Sequence, residues 1–130
     1  MKSYFLDTST IINYLRGIEK AVNLINNLDG KITSSYLCLA ELFEGVFSSN
    51  NKKAESIILQ FFSGLNTTYG IDAIIAKKFG LLRQQLRKKG NIIEDIDIFI
   101  ASTCLIHDLY LVTFNIKHFS RIKELKICEI

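Results

Sequence analysis

Asp7, Glu41, Asp97 and Asn115 are the side chains whose types and placement could do chemistry together. Asp7 ends a short apolar run, Tyr4-Phe5-Leu6, and is followed by Thr8-Ser9-Thr10 and apolar Ile11-Ile12. That pattern reads as a strand carrying a carboxylate to its tip, then a hydroxyl-rich turn opening a helix. In an open parallel sheet, ligands sit beyond the carboxyl ends of the strands. Glu41 lies inside an apolar helical stretch, Asp97 in the first turn of another, and Asn115 just after the apolar run Leu109–Thr113. Three carboxylates and an amide in one cleft repel one another unless a cation joins them. Hard oxygen ligands select Mg²⁺ or Mn²⁺ over Zn²⁺. An ion held this way can bind a phosphate oxygen and activate water for attack on a phosphodiester.

Each residue also has a plainer reading. Asp7 and Asp95 are good helix N-caps. Glu41 can be a solvated helix residue, as Glu44 is expected to be, although its neighbours Leu39, Ala40, Leu42 and Phe43 are apolar. Asp97 suits a helix N-terminus electrostatically. Asn115 is a turn former, and His118 reads as an exposed loop residue. Glu94 and Asp95 are expected to support the site or the helix start rather than to react.

The elements that must position these groups follow from periodicity. Strands are expected over Lys2–Leu6, Lys31–Ser34, Leu65–Tyr69, Tyr110–Val112 and Leu125–Ile130. Helices are expected from Ser9 to Arg16 with Gly17 as a stop, over Ile18–Asn27, from Tyr36 to about Ser48, over Lys53–Ser63, over Ile71–Lys89, and from Glu94–Asp95 to about His107. Asp29-Gly30 reads as a turn, and Lys117–Phe119 as a short turn or helix. In the long helix, Ile74, Ile75, Phe79, Leu82 and Leu86 are expected inward and the basic residues outward. The helix after Asp95 is apolar nearly all round and is expected to be buried, which brings Asp97 close to the core. Helices alternating with short strands imply an α/β sandwich around a mainly parallel sheet of four to five strands.

Bulk properties narrow the class. A chain of 130 residues with 48% hydrophobic content suits one compact domain, here expected to span 1–130. The formal charge of +3 is compatible with a polyanionic partner without demanding one. No apolar run approaches a bilayer-spanning length, so no membrane partner is expected. The N-terminus passes straight into a strand pattern, and the three dispersed cysteines, Cys38, Cys104 and Cys128, read as small core residues of a reduced, cytoplasmic protein.

The ordered set of motifs carries a more specific signal. Phe5-Leu6-Asp7-Thr8-Ser9 comes first, then Ser35 with Ala40-Glu41-Leu42 and Gly45. Asp97-Ile98-Phe99-Ile100-Ala101 follows, and then Leu111-Val112-Thr113-Phe114-Asn115 with His118-Phe119 and Arg121-Ile122. Together these resemble a PIN domain of the VapC type, the toxin of VapBC toxin–antitoxin pairs. The resemblance implies an α/β/α sandwich and a Mg²⁺- or Mn²⁺-dependent endoribonuclease, the toxin of a type II system. It also implies homodimers restrained by a VapB antitoxin. It assigns Asp7, Glu41 and Asp97 as the catalytic, metal-binding acids, and Thr8 and Thr113 as hydroxyls near the site. Asn115 stands where many PIN domains have a fourth acid, which reduces the negative charge available for a second ion. The alternative is a degenerate PIN-fold module that binds RNA or a partner without cutting.

Basic residues fall in two groups. Lys77, Lys78, Arg83, Arg87, Lys88 and Lys89 crowd one helix and are as well explained by a solvated face. Lys117, Arg121 and Lys123 follow Asn115 directly and are expected to face the RNA backbone. A phosphatase of the haloacid-dehalogenase type fits less well, because it needs a second Asp where Ser9 stands. A receiver domain needs acids before strand one and a Lys after its last strand. Apolar area around Phe43, Phe47, Phe61 and Phe62 is the expected dimer surface. An antitoxin is expected to lay an apolar helix in a groove beside the acids and to offer them an Arg.

Overall fold

The computed structural model describes residues 1–128. Its elements run β1 (Lys2–Leu6), α1 (Thr8–Leu15), α2 (Glu19–Asn26), β2 (Gly30–Ser35), α3 (Tyr36–Ser49), α4 (Lys52–Ser63), β3 (Thr67–Tyr69), α5 (Ala73–Lys88), α6 (Asp95–His107), β4 (Tyr110–Val112), α7 (Ile116–Phe119) and β5 (Ile127–Cys128). The strands form one sheet in the order β3-β2-β1-β4-β5, and every pairing is parallel. The central strand β1 has to be apolar on both faces, and Phe5 and Leu6 are fully buried. Leu111 and Val112 of β4 match them.

The chain order places β2 and β3 on one side of β1, and β4 and β5 on the other. The crevice between β1 and β4 is therefore a topological switch point, where open α/β sheets bind their ligands. Buried hydroxyls tie β1 to β2 on one side and the start of α1 to β4 on the other. Thr33 Oγ1 donates to the Tyr4 carbonyl and Ser34 Oγ to the Leu6 carbonyl, each at 2.8 Å, and Thr10 Oγ1 donates to the Val112 carbonyl at 2.9 Å. Helices cover both faces of the sheet, with α1 packed on α2 and α3, and α5 on α6. Phe79 and Phe99 stack at 3.9 Å across the α5–α6 contact.

Most expected elements form within a residue or two of their expected bounds, and Gly17, at φ 74°, ends the first helix. Five expectations are corrected, the first being that Gly30, expected in a turn, opens β2 instead. Ile74 points outward and is 62% exposed, because α5 docks through Ile75, Leu82 and Leu86, a stripe that Ile74 misses by one residue. Glu94, not Asp95, occupies the N-cap of α6, and its side chain makes no capping bond. Phe62 is core, while Phe61 packs on Tyr14 at 5.5 Å and Phe43 is half-buried against the core. Phe47 alone of that quartet is mainly exposed, at 74%. The last strand begins at Ile127 rather than Leu125, and its expected continuation to Ile130 lies outside the described residues.

Candidate active site

Asp7 caps a helix at the switch point. The backbone leaves β1 in an extended conformation, so Asp7 becomes the N-cap of α1 and its Oδ1 accepts the Thr10 N–H at 3.0 Å. The same oxygen accepts Ser9 Oγ at 3.0 Å, and Oδ2 accepts Thr113 Oγ1 at 2.5 Å. The Asn115 N–H donates to the Thr113 hydroxyl at 2.8 Å. A relay from Asn115 through Thr113 to Asp7 thus crosses the switch point between β1 and β4. Asp7 is only 5% exposed, and charge-assisted hydrogen bonds are what make so buried a carboxylate tolerable.

Glu41 projects from the second turn of α3, half-buried, and accepts Thr8 Oγ1 at 2.6 Å. The N-cap of α3 is Ser35, whose Oγ accepts the Cys38 N–H at 3.3 Å. The thiol of Cys38, buried beneath the site, is pushed up mainly by burial, with the charge of Asp7 adding to the effect. Cys104 is likewise core, whereas Cys128 is half-buried.

Asp97 sits in the first turn of α6 with its side chain 19% exposed. Its carboxyl is raised from the ordinary carboxylate value. Burial is the main cause, the contact with His118 opposes it, and the charges of Glu94 and Glu41 add to it. His118 Nδ1 lies 2.8 Å from Asn115 Nδ2 and 3.6 Å from Asp97 Oδ2. One ring nitrogen of His118 therefore faces both the Asn115 amide and the Asp97 carboxyl, and links the two.

Two sets of contacts result: Thr8 holds Glu41, while Asp7 is linked through Thr113 to Asn115, and Asn115 through His118 to Asp97. Asp95 does not join them. It turns outward to Arg83 Nε at 3.4 Å. Of the basic trio, Arg121 Nη1 donates to the Ile92 carbonyl at 2.9 Å, and Arg121 and Lys123 line a small depression with Lys89, the C-cap of α5. Lys117 is exposed on α7, two residues past Asn115. The hydroxyl clamps Thr10, Thr33 and Ser34 were not among the expected site residues. Their only sequence signal is the unusual density of Thr and Ser at the ends of two apolar strands.

The donor set suits a hard divalent cation. It offers oxygens, and the raised carboxyl of Asp97, pressed by two acidic neighbours, is relieved by positive charge. No group of three or more His, Cys, Asp or Glu side chains that could hold a metal ion is present among the described residues. Direct contact by one or two carboxylates, with water completing the shell, is the usual pattern for Mg²⁺.

The PIN domain profile matches residues 4–125. The chain belongs to the PIN-domain family. Within that family its relatives are VapC ribonucleases. It is 33% identical over 119 residues to ribonuclease VapC1 of Methanocaldococcus jannaschii, covering 92% of this chain and 80% of that protein. It is 33% identical over 127 residues to ribonuclease VapC2 of Rickettsia felis, covering 94% and 93%. Among solved structures, the VapBC2 complex of Rickettsia felis bound to a promoter DNA fragment contains a chain that superposes with TM-score 0.86 at 31% identity, covering 97% of each chain. A chain of VapBC-1 from Haemophilus influenzae superposes with TM-score 0.85 at 27% identity, covering 98% and 97%. The PIN α/β/α architecture expected from the motifs is the one observed.

Beside the acids, a groove of about 710 Å³ runs between α1, α3 and α4. It begins at Glu41, and Ile12, Leu15, Leu42, Val46 and Ile58 give it an apolar lining. No helix among the described residues is long and apolar enough to cross a membrane.

Proposed function

We propose that this PIN-domain protein is a VapC-type toxin, a Mg²⁺- or Mn²⁺-dependent endoribonuclease of a type II toxin–antitoxin pair. The observation that supports this reading is the hydroxyl-locked carboxylate of Asp7 at the switch point, together with Glu41 and Asp97 near enough for their charges to act on each other. Family membership adds the substrate class, since the relatives named above are ribonucleases. Asp7, Asp97 and Glu41 would share the ion, one or two of them by direct contact and the rest through water. The chemistry supplied by a bound Mg²⁺ or Mn²⁺ is activation of water and charge neutralisation at the phosphodiester. Thr113 and Thr8 orient Asp7 and Glu41 through their hydroxyls, and Asn115 fixes Thr113. Lys117, Arg121 and Lys123 would grip the phosphates leading away from the cut.

The partner proposed is a VapB-type antitoxin. The groove of Ile12, Leu15 and Val46 accepts the apolar face of a helix, and Glu41 at its mouth offers a carboxylate to an Arg. Such an occupant covers the acids and the approach to them together. We also infer a homodimer acting in the cytoplasm. Its support is a stripe of exposed apolar side chains at helical spacing, Ile71, Ile74 and Leu81, beside and along α5, rather than the phenylalanines of α3 and α4.

Cleavage of an RNA pool with Mg²⁺ or Mn²⁺, with and without EDTA, tests the reaction. Cutting that stops in EDTA and returns with added ion is the expected result. Undiminished cutting in EDTA would refute the metal-dependent mechanism.

A further inference from the structure

Tyr36 stands out on the rim of the crevice. It is the first residue of α3, directly after the N-cap Ser35, and it is 59% exposed. The strand registers place it. Pairs from Lys2↔Gly30 to Phe5↔Thr33 run in step, so the carboxyl end of β2, which Tyr36 follows, lies beside that of β1, which Asp7 follows. Ser35 pairs with Tyr69, so Tyr36 stands beside Gly70. A Cβ built on Gly70 lies 4.0 Å from Cδ2 of the Tyr36 ring. The ring therefore lies toward the β3 side, and glycine as its neighbour leaves the space beside it uncrowded. Neighbouring strands are about 4.8 Å apart, which puts the ring roughly 10 Å along the rim from Asp7.

The two halves of this rim differ in chemistry. On the β4 side, Lys117, Arg121 and Lys123 offer positive charge. On the β2–β3 side, Tyr36 offers a flat aromatic face. Proteins that bind single-stranded nucleic acid combine these two features, with cations along the backbone and aromatic rings under the bases. We propose that Tyr36 is a base-stacking platform for a nucleotide flanking the scissile phosphate, on the opposite side of the acids from the basic residues. The occupant is single-stranded RNA, because a paired helix keeps its bases stacked on one another and unavailable to a side-chain ring. This inference rests on the ribonuclease reading and adds the strandedness of the substrate and the direction in which it crosses the site. Tyr36 holds the RNA in place and takes no part in bond breaking.

The test uses the purified chain and a mixed-sequence single-stranded RNA pool, with binding measured in EDTA and cleavage with added Mg²⁺ or Mn²⁺. Tyr36→Ala is expected to weaken binding and raise KM about tenfold, the scale of one lost stack, with kcat nearly unchanged. Tyr36→Phe keeps the ring and is expected to stay within about twofold of wild type. The chain contains no tryptophan, so Tyr36→Trp creates a single reporter whose emission is expected to be quenched by RNA. Wild-type KM in Tyr36→Ala, an equal loss in Tyr36→Phe, or unquenched Trp emission at saturating RNA would overturn the proposal. Loss of self-association in Tyr36→Ala with RNA binding intact would also overturn it, in favour of a protein contact. If the wild type neither binds nor cuts RNA, the ribonuclease reading falls and the stacking proposal with it. If the wild type cuts and Tyr36→Ala cuts equally well, the stacking proposal alone falls.

Discussion

Two carboxylates at the ends of neighbouring elements live in opposite conditions. Asp7 is almost wholly buried, yet a backbone N–H and two hydroxyls hold both of its oxygens. Asp97 keeps more access to water, yet its nearest hydrogen-bonding neighbour is an imidazole already engaged by Asn115, and Glu94 and Glu41 press on its charge. Burial depth alone would rank Asp7 as the strained member. Hydrogen bonding reverses the ranking, because a buried charge is costly only to the extent that its partners are missing. Asp7 is a clamp whose bonds to a backbone N–H and two hydroxyls are already made. Asp97 is held at a cost that a cation would relieve.

Substitutions at the two ends sharpen that contrast. Asp7→Ala is expected to have the largest effect. It removes a helix cap and leaves the Thr113 hydroxyl without its acceptor, costing about 2–3 kcal/mol of stability, together with a loss of cleavage rate on the order of 10²-fold or more. Chemical denaturation and a cleavage assay on the same preparation measure both, and unchanged stability would show that Asp7 is not a clamp.

Thr113→Val comes next. It keeps the shape and deletes the donor to Asp7, so a cost of about 1–3 kcal/mol is expected. The activity loss should be smaller than for Asp7→Ala, because the carboxylate itself remains. A midpoint shift in denaturant at constant slope is the signature to look for.

Asp97→Asn has the smallest expected effect on stability, and its sign is opposite. Cleavage should fall about as far as in Asp7→Ala, whereas the metal-free protein should become slightly more stable at neutral pH, by roughly 1–3 °C in Tm. The sign follows from linkage. The Asp97 carboxyl is raised in the folded chain, so its contribution to stability is fully present below the unfolded carboxylate value and is lost as pH rises through the folded value. The variant should lack that pH-dependent loss over the mildly acidic range. A lowered Tm for Asp97→Asn at pH 7 would show that its contacts outweigh its desolvation.

Much of the site was legible along the chain because its residues sit at element ends with strong local cues. An apolar strand stopping at an acid, hydroxyls at helix starts, and an Asp one turn into an apolar helix are all patterns within a few residues of sequence. The family resemblance then tied the distant motifs together. The misjudged positions share a different cause. Ile74 and Phe62 are equally apolar, and only the docking of α5 on α6 and of α4 on the core makes one exposed and the other buried. Asp95 could cap or support, and only the place of Arg83 on the facing helix turned it outward. Gly30 read as a turn residue but opens β2, where a Cβ would come within 2.1 Å of the Lys2 carbonyl oxygen.

By itself the sequence determined which elements form, which acids stand at their ends, and which family the ordered motifs resemble. Those features depend on periodicity, capping and turn chemistry, forces that act within a helical turn or a strand. Tertiary structure decided the strand order, and with it the switch point where Thr113 reaches Asp7 across 106 positions of chain. It also decided that Thr8 clasps Glu41 and that β2, which leads into Tyr36, and β4, which leads toward the basic residues, flank β1 on opposite sides. Contacts of that kind depend on how separate faces pack, and no local pattern encodes the partner that a distant surface will present.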